Sequence, residues 1–211
     1  ESHLTSLRKV FDVGFDSIEV GHIRLLPGSE MEGDESRKTY GLETKYRLIA
    51  GSYGKYDEAP IFDYEESIRA SKDMSVEEMH FLRIVHFFIW VFWNVGMAKP
   101  ILKWFFIQQG KNPLDIILTL IEQKERFVEL KKFIEEFDKE AREEWFDSPE
   151  ELVKHYESNF DALIENGFVK LNYKYLAKLL LDKNLARTMV DILAHQCDLE
   201  VADELAQFSF E

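Results

Sequence analysis

The side chains best placed to meet a ligand lie in residues 16–30. Residues 16–26 alternate apolar and polar types and run into Leu25-Leu26-Pro27-Gly28-Ser29-Glu30. A period of two puts His22, Arg24 and Leu26 on one face of a strand and Gly21, Ile23 and Leu25 on the other. The polar face would point into a cleft, where an arginine can pair with a carboxylate or phosphate on a substrate. At the strand's exit Pro27 fixes the turn and Gly28 lets backbone come close to a ligand, while Ser29 and Glu30 can hydrogen-bond a sugar or an amine. Arg47, on a second short strand over residues 45–50, offers another anion clamp, and Arg37 reads as a surface ion pair. Plainer readings stand beside these: strand-edge arginines in solvent or in surface pairs, and an ordinary strand-exit turn.

No residue is assigned a catalytic role, and no metal site is expected. His80 and His86 lie six apart on a helix, so they do not share a face as an i, i+4 ligand pair would. His3, His22, His155 and His195 have no ligand partners nearby in sequence and read as structural. Glu135-Glu136 and Glu143-Glu144 belong to charged helical runs, which solvated helix faces explain better than acid–base catalysis. Cys197 is the single cysteine, so no disulfide within the chain can form, which suits a reducing compartment.

The elements that position these residues change character along the chain. Leu4, Leu7, Val10 and Phe11 predict a helix over residues 2–13, stopped by Gly14 and followed by the strand over 16–26. This is the αβ half of a βαβ unit, read as the last strand and exit loop of a barrel whose earlier strands are absent. The chain starts at Glu1 without a methionine, inside that helix, and is expected to be the back end of a larger enzyme. A short helix over 34–40, the strand over 45–50, a loop over 51–60 and a third strand over 61–70 come next. From Ser75 the pattern is helical. Ser75-Val76-Glu77-Glu78 is a capping box, Asn112-Pro113 and Ser148-Pro149-Glu150-Glu151 open further helices, and two more are predicted over 173–181 and 184–196. The segment over 198–211 has no resolved pattern. The expected fold is α+β and helix-rich, with barrel-end strands over residues 1–72 and a helical subdomain over residues 73–211.

Charge and hydropathy limit the partners. The 211 residues carry a formal net charge of −14, which repels phosphate backbones and anionic lipid, so nucleic acid is not an expected partner. Residues 84–107 are rich in Phe and Trp, but His86, Asn94, Lys99, Pro100 and Lys103 interrupt them, leaving less apolar length than the ~20 residues a membrane span needs. The helix carrying Phe87-Phe88, Trp90, Phe92 and Trp93 is apolar nearly all round and is expected to be buried on several sides.

Six blocks carry a family resemblance. Glu1-Ser2-His3-Leu4, Phe15-Asp16-Ser17-Ile18, Leu25-Leu26-Pro27-Gly28-Ser29-Glu30, Arg37-Lys38-Thr39-Tyr40-Gly41, Thr44-Lys45-Tyr46-Arg47-Leu48 and Tyr53-Gly54-Lys55-Tyr56 resemble the C-terminal part of radical S-adenosylmethionine enzymes. The closest subgroup carries an N-terminal cobalamin-binding domain. The resemblance covers about the first 90 residues and fits the later helices only loosely. It implies a partial (β/α) TIM-type barrel, a [4Fe–4S] cluster held by three cysteines spaced C-x3-C-x2-C, S-adenosylmethionine as radical source, and cobalamin for methyl transfer. This chain departs from that pattern, because one cysteine cannot hold a cluster.

The implied role is therefore that of a barrel end and helical cap in a cytoplasmic parent enzyme, inactive alone and without a cofactor of its own. Its partners would be the parent's missing N-terminal domains and a small-molecule substrate. The rim facing substrate or S-adenosylmethionine would be His22, Arg24, Pro27, Gly28, Ser29, Glu30 and Arg47. The alternative is a non-catalytic helical interaction module that binds a partner, or self-associates, through its aromatic helix.

Overall fold

The computed structural model describes residues 2–196. They form an α+β structure, helix-rich with one small sheet. The chain starts in α1 (Ser2–Val13), passes through β1 (Arg24–Leu25) and α2 (Asp34–Tyr40), and makes a long hairpin of β2 (Glu43–Tyr56) and β3 (Ala59–Ala70). Helices follow: α3 (Val76–Ile89) with a π-helical turn at Trp90–Asn94, α4 (Lys99–Gln109), α5 (Pro113–Glu122), a 3-10 turn at Gln123–Arg126, and α6 (Val128–Glu143). The last four are α7 (Pro149–Ser158), α8 (Phe160–Asn166), α9 (Leu171–Leu181) and α10 (Lys183–Ala194).

Packing divides the chain into two compact units that interleave in sequence. Of the described residues, unit 1 takes 2–20, Arg83–Phe137 and 175–196, and unit 2 takes Gly21–Leu82 and Asp138–Lys174. This division differs from the linear one expected at residue 72. The reason is long-range pairing within unit 1: Arg8 of α1 bonds Asp115 of α5 at 2.8 Å, and the Asn112 amide donates to the Arg8 carbonyl and to Asp12.

Unit 1 is built round aromatic side chains. Phe87, Phe88 and Phe92 are fully buried. Phe87 meets Phe137 at 4.6 Å between ring centroids, Phe88 stacks on Phe92 at 5.2 Å, and the buried Tyr175 stands edge-on to Phe133 and Phe137. The expected burial of the aromatic helix on several sides is thus seen. Local chemistry sets the helix starts. Ser75 Oγ accepts from the Glu78 amide while Glu78 accepts from the Ser75 amide, Asn112 caps α5 through the Leu114 amide, and Ser148 caps α7 through the Glu151 amide.

In unit 2 the sheet has the order β1-β3-β2 and is antiparallel throughout. The strand expected over residues 16–26 is reduced to Arg24–Leu25. A strand needs a neighbour for its backbone groups, and residues 17–22 have no ladder partner among the described residues. The parallel strands of a (β/α) barrel are not found among the described residues. The loop expected over 51–60 is instead hairpin: β2 continues past a register shift between Leu48 and Tyr53, where Gly51 takes a positive φ of 79° as a bulge requires.

The hairpin closes on Asp57 (φ 45°) and Glu58 (φ 69°), so both central turn residues are left-handed without being glycine. Glu58→Gly is expected to raise stability by about 1 kcal/mol by relieving that strain, seen as a higher thermal midpoint. An unchanged or lower midpoint would show the turn to be unstrained.

No single helix among the described residues is long and apolar enough to cross a membrane. Val76–Asn94 and Lys99–Gln109 reach the required length and composition only together, across an 89° bend.

Candidate functional site

The rim residues predicted from sequence divide into two groups, and a polar cluster on one sheet face collects three of them. Register pairs Arg24 and Lys45 with Ser67, and Arg47 with Glu65. With two-residue alternation, Glu65, Ser67 and Arg69 of β3 share a face with Arg24 of β1 and with Lys45 and Arg47 of β2. On the opposite face Leu48 and Phe62 pack with Leu152 and Leu163 in the apolar core of unit 2.

Trp145 covers the polar face. Phe146 and Tyr46 exchange backbone hydrogen bonds at 2.9 Å, like one rung of a further strand. That rung sends Phe146 to the apolar side, where it packs on the core, and the residue before it to the polar side. The Arg47 guanidinium lies 4.5 Å and that of Arg69 4.3 Å from the Trp145 ring centroid, and the His22 ring meets it edge-on at 5.5 Å. Cation–π attraction is strengthened by desolvation, and Trp145 is buried.

Glu65, 6% exposed, is the hub. Its Oε2 forms an ion pair with Arg24 Nε at 2.5 Å, and its Oε1 accepts from Arg47 Nε at 3.0 Å and Nη2 at 2.5 Å. Arg47 Nη1 reaches Glu144 at 3.2 Å. Arg69, 3% exposed, lies 3.1 Å from His22 Nδ1 and 3.4 Å from His80 Nε2. A guanidinium only donates, so those ring nitrogens act as acceptors and the tautomers follow from the network. The other nitrogen of His80, Nδ1, stands 3.5 Å from Asp138 Oδ1, too long for a full hydrogen bond. Burial, with Arg142 and Arg69 nearby, pushes the His80 pKa down to about 4, so this ring is neutral near pH 7. Arg142 in turn holds Glu77 through two hydrogen bonds at 2.7–2.9 Å and Asp138 at 2.9 Å.

The charges balance: Arg24, Arg47, Arg69 and Arg142 are matched by Glu65, Glu77, Asp138 and Glu144. The anion clamp expected of Arg24 and Arg47 is filled by the protein's own carboxylates. Arg37 forms its expected ion pair, a bidentate one with Glu66 at 2.7 and 2.9 Å, and the pairing holds the Glu66 carboxyl below its usual range. The chemistry available to this cluster is orientation. It joins the hairpin to the segment that follows α6.

Pro27, Gly28, Ser29 and Glu30 do not join the cluster through any bond among the described residues. Their turn closes on itself: the Gly28 amide donates to Glu32 at 2.6 Å, the Ser29 amide to the Leu26 carbonyl, and Ser36 to the Glu30 carbonyl. Nothing lies within 4 Å of where a Gly28 side chain would project, so its positive φ of 80°, rather than close approach, accounts for glycine. The Ser29 hydroxyl is buried without a partner among the described residues.

Sequence reasoning missed Glu65, Ser67, Arg69, His80 and Trp145 as one group. The available signal was the alternation Glu65-Ser67-Arg69 opposite Arg47. Among the described residues no set of three His, Cys, Asp or Glu side chains is grouped to hold a metal, and Cys197 lies outside them. The residues present do not fit an iron–sulfur cluster, since the whole chain offers one thiolate. No protein-family model matches the chain, and no curated protein matches it.

Proposed function

We propose that this chain is the C-terminal portion of a radical S-adenosylmethionine enzyme of the cobalamin-domain type. It would supply the edge of a partial barrel and a helical cap that shapes the substrate pocket. Cluster, cobalamin and the radical-forming step belong to other parts of such an enzyme. A helical cover has a physical purpose there, because reactive intermediates need exclusion of water. A methyl or other radical-mediated transfer is the reaction class, and the resemblance blocks are the ground for it.

The observation that supports this reading best is the backbone of residues 15–20. It is held by side chains. Trp93 Nε1 donates to the Phe15 carbonyl at 3.0 Å, Lys99 donates to the Asp16 carbonyl at 2.7 Å, and Asn94 bonds both the amide and the carbonyl of Ile18 at 2.9 Å. Ser17 and Glu19 have no backbone hydrogen-bond partner among the described residues. Unpartnered residues on either side of Ile18, whose amide and carbonyl are both bonded, resemble a sheet strand with one edge taken and one edge open. The open edge is where a preceding barrel strand would pair.

In the full-length protein the Ser17 and Glu19 amides are expected to be protected from hydrogen exchange by at least about tenfold over unstructured peptide. Free exchange at both would remove the barrel-edge reading. A C-x3-C-x2-C triplet upstream of Glu1 in the full-length sequence supports the enzyme assignment, and a full-length sequence without it sinks that assignment. The aromatic side chains that the partner-binding alternative would use, Phe87, Phe88 and Phe92, are packed inside unit 1.

A further inference from the structure

We propose that His3 and His86 form an acid-released latch that holds the first turn of α1 against α3. The two Nε2 atoms stand 2.9 Å apart, with ring centroids 5.1 Å apart and planes at 66°. A ring nitrogen lies about 1.1 Å from its ring centre, so a straight line through both nitrogens gives a centroid separation near 5.1 Å. The rings therefore point at each other along a single N–H···N axis. A shared metal ion would instead draw both axes towards a third point.

Such a bond needs one nitrogen that donates and one that accepts, so at least one ring must be neutral. With both rings protonated, two N–H groups face each other at a distance meant for one, and the pair must separate. The charged group acting on His86 is cationic: Arg83, from α3. Glu19 lines the groove of about 440 Å³ beside His3, Ser6, Leu7 and Val10, and it is exposed to solvent. His80, by contrast, has Asp138 and Glu77 nearby to support its charged form.

Burial, then His3 and Arg83, lowers the His86 pKa to about 4, and burial also lowers that of His3. The closed pair thus binds protons less tightly than separated rings. The latch is fully held above the ordinary imidazole value of about 6.5, and it is lost as pH falls through the window from there to about 4. The rest of α1 stays anchored by Leu7 and Phe11 in the core and by Arg8 on Asp115. Opening is therefore confined to the first turn and the groove beside it, next to the residues 15–20 on which the barrel-edge reading rests. The latch itself does not depend on that reading.

Hydrogen exchange at the Ser6, Leu7 and Arg8 amides of the full-length protein, corrected for intrinsic pH dependence, tests this. Protection is expected to fall roughly tenfold more between pH 7 and pH 4.5 in the wild type than in His3→Gln, whose amide keeps a hydrogen bond without titrating. Identical pH profiles in wild type, His3→Gln and His86→Gln would overturn the latch. Imidazole nitrogen shifts of the wild type give a second reading that needs no variant. At pH 7 both rings are expected to be neutral with a proton on only one of the two Nε2 atoms, and independent titration of both rings near 6.5 would equally overturn it.

Discussion

Glu65→Ala is expected to destabilise the protein by about 3–5 kcal/mol, because it removes the shared acceptor of two arginines from a nearly dry site. Glu65 is 6% exposed, and both of its oxygens are taken by guanidinium groups. Without it Arg47 keeps Glu144 and the Trp145 ring but loses its two shortest hydrogen bonds, in surroundings that leave its side chain 19% exposed. The control is Arg24→Ala. That side chain is 57% exposed and can be replaced by water, so its loss is expected to cost under about 1 kcal/mol. Urea unfolding midpoints separate the two. A Glu65→Ala cost as small as that of Arg24→Ala would mean that water already screens the cluster.

Phe87→Ala is the second large effect, at about 3–5 kcal/mol. Its ring touches Phe88, Trp90, Phe133, Phe137 and Tyr175, contributed by α3 and its π-helical extension, by α6 and by α9. No one of these neighbours can fill the gap without leaving its own contacts, so a cavity remains and adds to the lost transfer energy. Phe81→Ala, six residues earlier at a site 40% exposed, is expected to cost under about 1 kcal/mol. Thermal or urea unfolding of the pair decides. Equal costs would show that the aromatic cluster collapses on truncation.

Sequence revealed most where the physics is local. The Ser75 capping box, the Asn112-Pro113 and Ser148-Pro149 starts and the helix over residues 2–13 each depend on a few neighbouring residues, and each is found as expected. The hairpin tip was obscured for the opposite reason. Gly51, Gly54 and Pro60 look like loop punctuation, yet Gly51 sits in a bulge and Gly54 within β2, while the turn itself falls on Asp57-Glu58, which carry no turn signature. The helix at Phe160–Asn166 was not foreseen either.

The candidate site was half legible. His22 and Arg24, expected on one strand face, both reach the cluster, His22 through Arg69 and Trp145 and Arg24 through Glu65, and Arg47 joins them through the register of β2 on β3. Their partners could not be read, because Glu65, Glu144 and Trp145 come together only through pairings 18 to 123 residues apart in sequence. The same distance problem hid the contact between His3 and His86, separated by 83 positions.

The interleaving of the two units has a consequence for biosynthesis. A ribosome delivers α1 before the rest of unit 1, but the side chain that Arg8 grips lies 107 residues downstream, and the ring that completes the Phe87 cluster lies at Tyr175. Unit 1 cannot close until nearly the whole described chain has emerged. Unit 2, whose hairpin pairs neighbours in sequence, has its sheet available much earlier. The nascent polypeptide therefore carries the Phe- and Trp-rich stretch of α3 without its full cover until Tyr175 has followed, and over that interval aggregation competes with folding.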